Sequence, residues 1–89
     1  MRAVITVLGN DKIGIIYNVT KILAECDINI LDISQTNLQG YFTMVTIVDI
    51  EKCNVKFEEI QKKLSDLGEK MDLNIRIQHQ QIFDSMHTI

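Results

Sequence analysis

The chain has no proline and no tryptophan, and only four glycines and two cysteines in 89 residues. With so little proline and glycine, no stretch has the composition of a linker, and one domain spanning residues 1–89 is expected. Cys26 and Cys53 form no CxxC pair, so their spacing announces neither a metal knuckle nor a dithiol motif. A small secreted domain stapled by disulfides would carry more of them. Both cysteines therefore read as small buried hydrophobes near helix ends. A basic excess is also missing. Nine Lys and Arg stand against twelve Asp and Glu, a formal charge of −3, which argues against nucleic acid as a partner. No apolar run approaches the ~18–20 residues that cross a bilayer. The apolar stretch of Met1 to Leu8 is too short for a signal-peptide core, and no small-residue cleavage site follows it. The expectation is a cytoplasmic protein with no membrane partner.

What is present alternates between two periods. Residues 2 to 8 are apolar and β-branched and end at Gly9, as a strand does. Ile15, Ile16, Val19, Ile22, Leu23 and Cys26 then recur on one face of a helix, with Asp11 as the expected N-cap and Asn10 in reserve. Residues 28 to 37 form a second strand, and a turn at Gln39-Gly40 leads into a third from Tyr41 to Ile50. Asn54 is the expected cap of a second helix, with Glu58 and Glu59 in its first turn. Phe57, Ile60, Leu64, Leu67 and Met71 step by three and four along it, and Gly68 interrupts without breaking the phase. Leu73, Ile75 and Ile77 alternate with Asn74, Arg76 and Gln78 in a fourth, one-sided strand. Ile82, Phe83, Met86 and Ile89 fit a short helical tail, so residues 82–89 read as an extension that docks on the domain or on a dimer mate.

The order βαββαβ is the ferredoxin-like α+β plan: a four-stranded antiparallel sheet with strands 1 and 3 central, two helices on one face, and a short C-terminal helical tail. Two helices cover one face only. Strand 3 is apolar on both sides, with Phe42, Met44 and Val48 alternating with Tyr41, Val45 and Ile47. Strand 1 repeats this with Ile5 and Val7 against Val4 and Leu8. Which parity faces out stays open from sequence. Either way, a homodimer or higher homo-oligomer is expected to cover the second face.

Catalytic and metal chemistry find little support. Asp84, Ser85 and His87 share one turn and cannot converge on a substrate as a triad does. His79 and His87 lack a third ligand at a recognisable spacing, and Glu58 and Glu59 read as a solvated helix face. With no GxGxxG and no GxxxxGK, phosphates have no cradle. No cofactor, no metal and no enzymatic activity are expected. One place is distinctive. Asn10, Asp11, Lys12, Ile13, Gly14 and Ile15 join strand 1 to the first helix, where unpaired amides and a partial positive charge suit a small carboxylate. Gly14 costs about 1 kcal/mol relative to Ala inside a helix, and close approach of a ligand or a backbone would give it a reason. An ordinary capped turn is the competing explanation. Asp11 itself has two available roles: capping the helix or accepting a bond from a ligand's ammonium group.

Asn10-Asp11-Lys12-Ile13-Gly14-Ile15, followed by Leu23-Ala24-Glu25 and Asn29-Ile30, resembles the ACT domain. Asp32-Ile33-Ser34-Gln35-Thr36, Gln78-His79, Ile82-Phe83 and Met86-His87 resemble a stand-alone bacterial subfamily of single ACT domains, so the resemblance covers essentially the whole chain. It implies a regulatory module that senses a small molecule allosterically: a homodimer binding an amino acid at its interface, near the turn after strand 1. Asp11 and Gly14 occupy the matching turn positions, and Asn29 matches the asparagine at the start of strand 2. Ile13 stands where many members have proline, which leaves the turn freer. With no enzyme in the chain, output would pass to another protein. The alternative is a structural or interaction module that binds no metabolite.

Overall fold

The computed structural model describes residues 1–87, without the side chains at 83, 86 and 87. Seven elements follow in order: β1 (Arg2–Asn10), α1 (Ile15–Glu25), β2 (Asn29–Leu38), β3 (Tyr41–Asp49), α2 (Phe57–Met71), β4 (Leu73–His79) and α3 (Gln80–His87). The strands form one antiparallel sheet in the order β2-β3-β1-β4, so β1 and β3 are central as the right-handed crossovers require. This is the ferredoxin-like arrangement expected. Among the described residues, no helix is long and apolar enough to cross a membrane.

The register settles which parity faces the helices. Ala3, Ile5 and Val7 of β1 lie beside Val48, Thr46 and Met44 of β3, and all six are buried. Leu73, Ile75 and Ile77 of β4 join the same side. From above, α1 contributes Ile15, Val19, Leu23 and Cys26, and α2 contributes Ile60, Leu64 and Leu67, with Phe57 and Met71 packed at the margin. On the other face Val45 and Ile47 of β3 lie beside Thr6 and Val4 of β1, and Leu8 faces Thr43. Val45, Ile47 and Leu8 are only half-buried there. The smallest dimension of the molecule, 19 Å, is that of one sheet and one helix layer.

Two helix starts differ from the expectation. Gly14, not Asp11 or Asn10, precedes α1, and it makes no side-chain cap. Its backbone is left-handed at φ 89°. Asn10 is instead the last residue of β1, opposite Tyr41. The extra strand length pushes the helix start past Asp11, and Gly14 O takes both the N–H of Asn18 (2.9 Å) and its Nδ2 (2.7 Å). Within α1, Ile16 is exposed rather than on the core face, while Ile22 packs at the core margin. Ile15, Val19 and Leu23 are four apart and define the buried line; Ile16 is turned about 100° from Ile15. Lys56, not Asn54, precedes α2. Asn54 Nδ2 donates instead to Glu25 O (3.1 Å) and Asp27 Oδ2 (2.9 Å), which draws it away from the helix axis.

The β2–β3 connection is a two-residue turn with Gln39 at φ 52° and Gly40 at φ 81°, the paired positive values of a type I′ hairpin. At the other end of the chain α3 packs against β1 and β4. His79 stacks on Phe57 at the β4–α3 junction, with ring centroids 4.3 Å apart. Of the tail residues expected to dock, Ile82 is exposed, at 52%, and does not dock on the body of its own domain. Ile89 and the side chains of Phe83 and Met86 lie outside the described residues.

Candidate functional site

Antiparallel pairing gathers two turns at one end of the sheet. Asn10, the end of β1, pairs with Tyr41, and Tyr41 with Leu38, so the β1–α1 turn and the β2–β3 hairpin are neighbours. Two hydrogen bonds join them: Asp11 N–H donates to Gly40 O at 2.7 Å, and Asn37 Nδ2 donates to Asp11 Oδ2 at 3.1 Å. Asp11 therefore ties one turn to the other and does not cap α1. Asn37 and Gly40 were not singled out from sequence, where they read only as hairpin residues. The antiparallel order alone places the hairpin beside the first turn.

The α1 ladder begins with Asn18 donating to Gly14 O, so the N–H groups of Ile15, Ile16 and Tyr17 have no intrahelical acceptor. Three donors at a helix N-terminus attract a carboxylate. A side chain at Gly14 would be strained at φ 89°. Around these amides Asn10, Asp11 and Ile13 are exposed, and Lys12 is half-buried. Ile15 points its side chain into the core, so only its backbone can serve a ligand.

Asn29 is elsewhere. It pairs with Asp49, whose other neighbour is Arg2, at the opposite end of the sheet from Asn10 and Tyr41. The nine residues of β3 separate those ends, about 27 Å at 3.4 Å per step. Within one chain, Asn29 and the turn are not brought together. Asn29 instead borders a groove of about 520 Å³ between α1 and β2, lined also by Tyr17, Thr20, Lys21, Ala24 and Ile30. Beside it, the N–H of Glu51 donates to Asp49 (3.0 Å) and holds its carboxyl below the usual aspartate range.

Beyond this groove β2 is an edge. It pairs with β3 alone, runs for ten residues, and exposes Leu31, Ile33 and Leu38. A long edge with apolar side chains is a template for another strand. Among the described residues no His, Cys, Asp and Glu cluster has the makings of a metal site.

The ACT domain family matches residues 2–78 of the chain. A UPF0237 protein of Clostridium acetobutylicum is 48% identical over 89 residues, covering 100% of both chains. Among solved structures, an ACT domain protein from Streptococcus pneumoniae is 39% identical, covers 94% of each chain and superposes with a TM-score of 0.80. The fold is also that of the regulatory subunit of aspartate kinase from Thermus thermophilus, at 22% identity and a TM-score of 0.67, covering 86% of this chain and 50% of that one.

Proposed function

The chain belongs to the ACT domain family, and from that premise we propose that it is a non-catalytic regulatory module, a homodimer that binds an amino acid between its subunits. The ligand carboxylate is received by the amides of Ile15, Ile16 and Tyr17, with Asn10 to Gly14 forming the wall of the site. Binding shifts the contacts the dimer makes with another protein in the cytoplasm.

The observation that carries this reading is the position of the turn beside the free edge of β2. Two β2 strands paired antiparallel about a centre near Ile33 and Ser34 would set residue 29 of one chain against residue 38 of the other. Asn29 of the partner subunit would then lie beside the hairpin that Asp11 anchors, across the gap that keeps Asn29 from the turn in its own chain. The structure thus favours a contribution from the neighbouring chain over one from the same chain. The α1–β2 groove runs along the same edge and gives a ligand side chain room.

Isothermal titration of the parent protein with each of the twenty amino acids tests the ligand class. Heat of binding should appear for at least one, and Asn29→Ala should weaken it about tenfold or more, the loss of one charge-assisted hydrogen bond. Asn29 is exposed, so its removal spares the fold. Equal binding by Asn29→Ala removes the proposed intersubunit contact. Absence of binding at millimolar concentration for all twenty leaves the interaction module that takes no metabolite.

A further inference from the structure

The two cysteines are far apart in the sequence and adjacent in the fold. Cys26 closes α1 and is buried at 1%. Cys53 lies half-buried in the loop between β3 and α2 and packs against the apolar cluster that contains Cys26. The N–H of Asn54 donates to Cys26 O at 3.0 Å. With ordinary bond lengths on either side, that contact keeps the two cysteine Cα atoms within roughly 8 Å, close to the span of about 4.4–6.8 Å that a disulfide bridges. The Asn54 side chain pins the same junction to Glu25 O and Asp27 Oδ2. The Cys53 thiol is held by Val55 O at 3.2 Å, a weak bond that rotation about χ1 releases.

We propose that this junction is an oxidative modification site, at which hydrogen peroxide converts the two thiols into an intramolecular Cys26–Cys53 disulfide. Cys53 reacts first, because it is the accessible thiol of the two. Its thiolate attacks one peroxide oxygen and the O–O bond breaks, leaving Cys53 as a sulfenic acid and releasing water after protonation. The Cys26 sulfur then attacks the Cys53 sulfur. An S–S bond forms as the S–O bond breaks, and the departing hydroxide takes the Cys26 proton to leave as a second water. Two thiols lose two electrons and one peroxide gains them. Burial holds the Cys26 thiol above its ordinary range, with the Lys63 ammonium opposing, so Cys26 serves as the resolving sulfur rather than the first target.

The test uses the full-length reduced protein at low concentration, treated with a small excess of hydrogen peroxide. The protein is then denatured, alkylated with N-ethylmaleimide and weighed intact. The expected product is a single chain about 2 Da lighter than the reduced protein, for the two thiol hydrogens, with no alkylated cysteine and full recovery on dithiothreitol. In Cys26→Ser, Cys53 should be trapped by dimedone as its sulfenic acid. Chains that keep both thiols alkylatable, that add oxygen at Cys53 without losing the Cys26 thiol, or that cross-link only between molecules overturn the proposal. The mass and alkylation outcomes are read on the parent protein, so they stand whether or not Cys26→Ser folds.

Discussion

Thr46 sits in the middle of β3 on the helix side, 1% exposed, and its Oγ1 has no hydrogen-bond partner among the described residues. A hydroxyl in that position keeps its desolvation cost without a compensating bond. Thr46→Val keeps the β-branched shape between Ile5 and Ile33, its cross-strand neighbours, and removes the polar atom. Thermal or urea unfolding should show the variant more stable by about 1 kcal/mol. A destabilised variant would mean that Oγ1 has a partner, such as a buried water. Asp11 differs from its expected role as the cap of α1 for a reason equally local. Asp before a helical pattern is the usual cap signal, but here Lys12, Ile13 and a left-handed Gly14 lie between Asp11 and α1, and the carboxylate turns to Asn37. Nothing local in the sequence distinguishes those two uses of an aspartate.

Long periodic elements are legible in the sequence for the opposite reason. Phe57, Ile60, Leu64, Leu67 and Met71 specify one face of α2 whatever the rest of the chain does, and all five face the core. Leu73, Ile75 and Ile77 specify the buried side of β4 in the same way. The start of α2 was less legible, because Asn54 is drawn to the end of α1, a contact 29 residues away from Glu25. α3 gives the element-scale prediction. It lies against β1 and β4, and the Phe57–His79 stack fixes the point from which it departs. Deleting residues 82–89 leaves that stack in place and should lower the melting temperature by several degrees, as loss of ~1–2 kcal/mol does in a domain of this size. A truncated chain with the same melting temperature and the same mass in solution would show the segment to be idle.

At the scale of the molecule, α1 and α2 cover one face of the sheet, while on the other Val4 alone of the apolar residues is buried. Met44 and Val48 point to the helices, while Val45 and Ile47 point outward, half-buried and next to Leu8 and Val4. The free edge of β2 is a second uncovered surface. Sedimentation at micromolar concentration should therefore show a dimer or larger, and a monodisperse monomer would remove the homodimer proposal. Lys on an edge strand opposes strand pairing, so Ile33→Lys and Leu38→Lys should weaken association while the chain stays folded. Val45→Lys should also remain folded by circular dichroism and report whether the open face contributes. Met44→Lys is the contrast, since an unpaired ammonium among fully buried side chains should unfold the chain.

The sequence by itself determined the order of the first six elements, the inner faces of α2 and β4, the Gln39-Gly40 turn and membership of the ACT family. These rest on periodicity, turn chemistry and motifs, all of which act within about fifteen residues. The tertiary structure alone decided which side of β3 is buried, because both parities are apolar and only the helices' position chooses between them. It set Asn29 about 27 Å from the turn, joined Asp11 to Asn37, and laid Cys53 beside Cys26. Each is a contact across the chain, created when antiparallel pairing and helix packing fix ends that local sequence leaves free.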